Sequence, residues 1–244
     1  MFNENGLPIQ KKCVVAFVDL LGVLQKMEKG SAWTLDYMWE YYKIILAGLS
    51  SHERLKFKVF SDNILVCEEI DESNPSLAVK EVLAVVDRIE MTLFNFGALF
   101  LRGAVVVDDL HFSEDFVCGM GLVKAYIMER DSAIYPRILI DSSVIELVGT
   151  DEKYIMQDTD GLYFYNFLQA CIDKGDSRLQ HKLGMLCGNI LTNIKGHQSA
   201  ASIINKMEWL INYFNEISAK NNLKRRITTE DLQRCGITID IDIL

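Results

Sequence analysis

Two aspartates stand where an aspartate is hard to place. Asp19 closes the apolar run "CVVAFVDLLG" (13–22), and Asp62 sits inside "KVFSDNILVCEE" (58–69). The first run is short, β-branched and nearly all apolar, which is the pattern of a buried strand. Alternation along it puts Asp19 on the same face as Phe17 and Val15. The second stretch reads as a tight hairpin, with Lys58-Val59-Phe60 and Ile64-Leu65-Val66-Cys67 flanking Ser61-Asp62-Asn63. Local hydrogen bonding explains most aspartates in turns; it does not explain one that ends a buried strand. If the hairpin tip lies beside the end of the first strand, carboxylates 43 positions apart meet at one sheet edge. Such a pair repels and desolvates itself, and a divalent cation relieves both effects. Magnesium accepts one or two carboxylates and fills its shell with phosphate oxygens, the chemistry of nucleotidyl transfer. The "DLLG" run suits this reading. A chain passing from strand to helix there offers the backbone amides of Leu20, Leu21 and Gly22 to a triphosphate.

The elements that must position these residues follow from periodicity. After the first strand, "TLDYMWEYYKIILAGL" carries Leu35, Met38, Tyr42, Ile45 and Leu49 at helical spacing, with Ser31 or Thr34 as cap. After the hairpin, "SNPSLAVKEVLAVVDRIEMTLFNFG" is the clearest helix, with Ser73 or Asn74 as cap, Pro75 in the first turn and Gly97 at its end. A strand follows over 99–109, then a loop "LHFSEDFVC", a helix opening after Gly121, and a strand over 135–141. Ser142 or Ser143 caps a short helix, and "KYIMQDTDGLYFYNFL" reads as a hairpin turning at Asp160-Gly161. The order β-α-β-β-α-β is the ferredoxin-like pattern, in which strands 1 and 3 are central neighbours. The expectation is an α/β (α+β) core over 10–170, with 171–244 as a helical extension packed on the same domain. That extension holds two helices and a final strand at the chain end.

Composition bounds the partners. Among 244 residues, 34 acids exceed 25 bases for a net charge of −9, which disfavours nucleic acid and anionic membrane surfaces. The six cysteines form no CxxC pair, and Cys13, Cys67 and Cys118 read as small core residues. The four histidines are scattered, so no zinc site is expected. The start "MFNENGLPIQKK" has no apolar signal region, and no apolar run approaches the ~20 residues of a membrane span; the expected location is cytoplasmic. Tyr37, Trp39, Tyr41 and Tyr42 make a helix patch that is either core or a dimer surface. Lys224, Arg225 and Arg226, beside Glu230 and Asp231, read as a solvated face.

"FVDLLG" and "FSDN" resemble the two metal-aspartate motifs of class III nucleotide cyclases. Within that class the chain looks most like the bacterial pyrimidine cyclases of the Pycsar anti-phage systems. The stretches "LRGAVVV" (101–107), "GMGLVKAYIMERDSAIYPRILID" (119–141) and "DTDGLYFYNFL" (158–168) support this, and together the likeness covers residues 13–168. The resemblance implies a class III cyclase core acting as a head-to-tail homodimer with active sites at the interface. It implies conversion of a nucleoside triphosphate, UTP ahead of CTP, to a 3′,5′-cyclic monophosphate and pyrophosphate. The product would act on a separate cyclic-nucleotide-sensing effector.

Asp19, Asp62 and the carbonyl of Leu20 match the ligands of two divalent ions, Mn2+ or Mg2+. Lys58 falls where adenylate cyclases carry a base-reading lysine, and its bland alternative is a solvated strand-edge residue. Phe17, Leu21, Gly22, Ser61 and Asn63, which flank the aspartates, are candidate substrate contacts. The chain departs from the family where an Asn and an Arg steady ribose and transition state, because Lys124 and Met128 lie near those places. Lys124, Arg102, Arg130 or Arg137 is then left to supply the missing charge. Arg102 is equally well read as an ion-paired arginine, with Glu129 as its buried partner. The adenine-reading acid has no counterpart near Val117. Two further readings stay open: a purine cyclase, which Lys58 keeps alive, and a non-catalytic nucleotide sensor, which Met128 favours.

Overall fold

A computed structural model describes residues 1–21, 54–96, 100–149, 153–175, 179–196 and 200–237, with a few positions between 23 and 47. The chain divides into two compact units, Met1–Glu90 with Leu101–Asn166 and Met91–Phe100 with Phe167–Leu244. No helix among the described residues is long and apolar enough to cross a membrane.

The first unit is built on one mixed sheet. Its strands are β1 (Lys11–Leu20), β2 (Lys56–Phe60), β3 (Asn63–Glu69), β4 (Leu101–Phe112), β5 (Val117–Cys118), β6 (Ile138–Ile140), β7 (Ile155–Gln157) and β8 (Tyr163–Tyr165). They lie in the order β2-β3-β1-β4-β6-β8-β7, with β5 paired to β4 alone. β1 runs antiparallel to both β3 and β4, and β6 runs parallel to β4. Residues 39–43 between β1 and β2 are helical, and α1 (Pro75–Phe96) lies between β3 and β4. The first four strands and these helices therefore form the expected βαββαβ core, with β1 and β3 as central neighbours. Beyond them come α2 (Met120–Ser132) and α3 (Ser142–Val148).

Several boundaries differ from the sequence reading for local reasons. β4 continues to Phe112 because Leu110, His111 and Phe112 are buried. The expected loop after it is a hairpin to β5, closed by Ser113 N–H donating to the Phe116 carbonyl at 2.8 Å. Cys118 is consequently exposed rather than core, whereas Cys13 and Cys67 are buried. The strand expected over 135–141 is only Ile138–Ile140. Asp141, not a serine, caps α3, its carboxylate accepting from Ser143 N–H at 2.9 Å. Helix α2 opens two residues earlier than expected, at Met120 rather than after Gly121.

The glycine pair around Met120 explains how α2 reaches the sheet. A side chain on Gly119, whose φ is 149°, would meet the Asp109 carbonyl, and one on Gly121 would stand 2.9 Å from Val15 Cγ2. Both positions must be glycine for the helix to pack against β1 and β4 this closely. Cys13, Val15, Phe17, Leu65, Cys67, Val106, Leu110, Phe112 and Ala125 then form one buried cluster, with Leu122 and Met128 packed against it.

The second unit is helical: α4 (Phe167–Asp173), α5 (Leu179–Gly196), α6 (Ala201–Lys220) and α7 (Thr229–Arg234). Tyr213 Oη accepts from Leu168 N–H at 3.1 Å, and the Asn215 amide exchanges two 2.9 Å bonds with the backbone of Ile227. A capping box between Thr228 and Asp231 starts α7. The final strand expected at the chain end lies outside the described residues.

Candidate functional site

The pairing register decides where the two aspartates go. Asp19 stands opposite Asn63 on β3 and opposite Arg102 on β4. Strand alternation keeps Phe17, Leu65 and Ala104 on the same apolar face two residues back. One face of the sheet is therefore hydrophobic along its length and turns polar at its end, where Asp19, Asn63 and Arg102 form a cross-strand row. β2 and β3 join through Ser61 and Asp62, with Phe60 paired to Asn63. Ser61 accepts the left-handed φ of 57° that this turn requires. The Leu20 amide donates to the Asp62 carbonyl at 3.1 Å, tying the hairpin tip to the end of β1.

That bond corrects one expectation and supports another. The Leu20 N–H is not available to a phosphate; its carbonyl and side chain are what remain of the expected ligand. Leu21 is half-buried beyond it, and Gly22 lies outside the described residues. The tie also sets Asp62 beside the end of β1, near enough for its charge to act on Asp19. Burial is the main cause that lifts the Asp19 carboxyl above its usual range; Arg102 works against it, and the Asp62 charge adds to it.

Arg102 is engaged on both sides. Its Nε donates to Asp19 Oδ2 at 3.0 Å and lies 2.9 Å from Glu129 Oε1. The side chains of Asp19, Arg102 and Glu129 are 15%, 26% and 4% exposed, so this triad is largely dry. Burial raises the Glu129 carboxyl as well, with Arg102 opposing. The sequence reading of Arg102 as a paired arginine and Glu129 as its buried partner thus matches the geometry.

The other cations expected near the site are also paired. The Lys58 ammonium donates to the Glu114 carbonyl, so it rests on the β4–β5 turn. The Lys124 ammonium pairs with Asp108, which also lies 3.9 Å from Lys12 Nζ. Arg130 pairs with Asp131 at 2.6 Å. Arg137 is buried and clamps Asp158 and Asp160, its guanidinium 5.2 Å from the Tyr135 ring centroid. The "DTDG" segment is therefore an arginine clamp as well as a turn, and Arg137 is structural. Met128 packs against the core cluster, which accounts for an apolar residue near the place where the family carries an arginine.

Two aromatic groups complete the surroundings. Phe17 meets Tyr126 of α2 edge-on at 5.8 Å. Tyr41, from the helical stretch after β1, is 2% exposed, and its hydroxyl has no hydrogen-bond partner among the described residues. Burial raises its pKa, and Asp19 and then Asp62 add to the rise, which places the phenol within electrostatic reach of both carboxylates. The aromatic patch is thus divided: Tyr41 is core, while Trp39 is exposed and stacks on Tyr42 at 5.7 Å. Tyr37 lies outside the described residues. Sequence spacing alone could not have singled out Tyr41 among four aromatics.

Asp19, Asp62 and the Leu20 carbonyl offer only oxygen donors, partly buried and mutually repelling. That donor chemistry fits a hard divalent ion that completes its shell with ligand oxygens. Among the described residues no cluster of three or more histidine, cysteine or acidic side chains could hold a metal by itself.

No protein-family model matches the sequence, and no curated protein matches it. Solved structures do resemble the fold. The adenylyl cyclase CyaB from P. aeruginosa aligns at 18% identity with a TM-score of 0.49, covering 64% of this chain and 94% of that one. The monomeric guanylyl cyclase domain of the RhoGC fusion protein from the aquatic fungus Blastocladiella emersonii aligns at 15% identity with a TM-score of 0.48, covering 64% and 94%. The adenylate/guanylate cyclase/hydrolase from Silicibacter pomeroyi aligns at 12% identity with a TM-score of 0.46, covering 64% and 95%.

Proposed function

We propose that this chain is a nucleotide cyclase that converts UTP, with CTP second, to the 3′,5′-cyclic monophosphate and pyrophosphate. The observation that carries the reading is the register-enforced meeting of Asp19 and Asp62 at one sheet edge, locked by the Leu20–Asp62 backbone bond. The motifs around both aspartates, which resemble those of class III cyclases, supply the reaction type. In that reaction the ribose 3′-oxygen forms a bond to the α-phosphorus and gives up its proton. The bond from the α-phosphorus to the bridging oxygen breaks, and pyrophosphate leaves with that electron pair.

Asp19, Asp62 and the Leu20 carbonyl would hold two divalent ions, Mg2+ or Mn2+. When bound, these supply charge stabilisation at the attacking and leaving oxygens. The chain's own task is to orient the triphosphate and exclude water. Phe17 and Leu21 offer apolar surface beside the carboxylates, and Ser61 and Asn63 offer hydrogen bonds at the hairpin tip. Lys58 rests on a backbone carbonyl, from which it can exchange to a uracil or cytosine carbonyl at little cost. Lys124, half exposed on its side chain, is the more releasable of the two remaining cations. We assign the active form to a homodimer with sites at the interface. We assign its product to anti-phage signalling through a separate effector; the likeness to the Pycsar enzymes supports that role.

One observation favours a second reading, a sensor that binds a triphosphate without cyclising it: Met128 is packed into the core, and Arg102, Arg130 and Arg137 are all ion-paired. One experiment separates the two. The purified chain is incubated with each ribonucleoside triphosphate and Mn2+, beside Asp19→Ala and Asp62→Ala, and products are identified by mass spectrometry. Cyclic UMP or cyclic CMP from the wild type, lost in both variants, is the expected result. A cyclic purine product would replace the pyrimidine assignment. Metal-dependent binding without any cyclic product would establish the sensor.

A further inference from the structure

The Nε of Arg102 is shared in an unequal way. It lies 3.0 Å from Asp19 Oδ2 and 2.9 Å from Glu129 Oε1. Its single N–H is directed at Asp19. Glu129 Oε1, buried against the sheet, is left without a hydrogen bond among the described residues. A buried acceptor next to a donor that points elsewhere is an incomplete arrangement, and such oxygens are ordinarily satisfied. The donor needs only to re-aim by a small rotation to satisfy it. Asp19, meanwhile, cannot serve a cation fully while Arg102 holds one of its oxygens, because two positive groups on one carboxylate repel each other.

We propose that Arg102 is a shared counter-ion that passes from Asp19 to Glu129 when the Asp19–Asp62 pair takes a divalent cation. Glu129 thereby sets the affinity of that pair without ligating the ion. Glu129 is a positioning residue in this scheme, acting through the guanidinium. Its place on α2 links the packing of that helix to the state of the sheet edge. The inference rests on the reading that Asp19 and Asp62 hold divalent ions. It adds that Arg102 offsets part of the negative charge of an empty site and that a filled site requires a second seat for the arginine.

The test uses the full chain and the ions alone. In a Mg2+ titration of 15N-labelled protein, the Arg102 Nε–H resonance, assigned by its absence in Arg102→Lys, is expected to shift as the site fills. In Glu129→Gln, Mn2+ binding followed by electron paramagnetic resonance is expected to weaken on the order of tenfold, the usual scale of coupling between neighbouring sites. The double variant Arg102→Met/Glu129→Gln removes both the competitor and the buried charge it would move to, and it is expected to bind Mn2+ more tightly than the wild type. An Nε–H resonance that stays still through Mg2+ saturation overturns the proposal. So does Mn2+ binding by Glu129→Gln equal to that of the wild type, and so does a double variant no tighter than the wild type. These outcomes leave the cation site itself standing. If the wild type binds no Mn2+, or Asp19→Asn binds it equally well, the cation reading fails and this inference fails with it.

Discussion

At the scale of single residues, the chain carries charge where charge is costly, and the partners tell which charges serve structure. Arg137 is the clearest case. Its guanidinium is buried and held by Asp158 and Asp160, so removing it strands two carboxylates. Breaking such a pair from one side costs about 3–5 kcal/mol. Arg137→Met should therefore lower the free energy of unfolding measured in urea by that amount, while Mn2+ binding by the folded fraction stays unchanged. Glu90 is the opposite case, a buried carboxyl whose Oε2 has no hydrogen-bond partner among the described residues. Burial, with the Asp87 charge adding to it, raises its pKa well above the ordinary 4.5. The folded chain thus binds a proton there that the unfolded chain releases above about pH 4.5. Stability contributed at this site is present at low pH and is lost as pH rises through the raised folded value. Glu90→Gln should stabilise the protein by about 1–3 kcal/mol at pH 8, and the gain should shrink toward pH 4.5. A gain that is flat with pH would show that Glu90 is not the group responsible.

Among the elements, α2 carries more of the site than the sequence reveals. Its buried side presents Gly121, Ala125 and Glu129, and the last of these reaches Arg102. The helix sits low enough for this only because position 121 has no side chain. Gly121→Val would force a methyl group into Val15, and overpacking of this kind costs about 1–3 kcal/mol. The expected result is a lower melting temperature together with weaker Mn2+ binding, since Glu129 lifts away with the helix. Gly121→Ala should give a smaller version of both effects.

This dependence also shows what could be read in advance. The βαββαβ order and the convergence of Asp19 and Asp62 follow from periodicity and one topological rule, because alternation and hairpin length fix faces and tips. The cross-strand pairing of Asp19 with Arg102 needs the register of β1 against β4, two strands separated by two others in the chain. No local pattern encodes that register. The same limit applies to Lys58, whose rest on the Glu114 carbonyl depends on a β4–β5 hairpin that reads as loop. Arg137 stands among the alternative cations in the sequence because its acidic partners, Asp158 and Asp160, lie more than twenty residues away.

The molecule as a whole presents one face that its own first unit does not cover. Met120, Val123 and Ile127, at i, i+3 and i+7 on α2, are 51%, 44% and 44% exposed, opposite the buried side of the helix. Such a stripe fits a second copy of the chain, the homodimer proposed above. The magnitudes restrict how that dimer forms. Each of these side chains, already half buried, has roughly 1 kcal/mol left to gain. Association costs an estimated 4–15 kcal/mol in lost freedom. A net charge of −9 on each copy adds repulsion that salt screens. The stripe alone therefore supports a weak dimer, and a triphosphate bound between two copies must strengthen it. Sedimentation should show association rising with salt, and rising further with Mg2+ and a non-cyclising UTP analogue. Ile127→Lys should sediment as a monomer under all these conditions, keep Mn2+ binding at Asp19 and Asp62, and make no cyclic product. A monomeric variant that still cyclises would show that one copy holds a complete site and that the apolar stripe serves another contact.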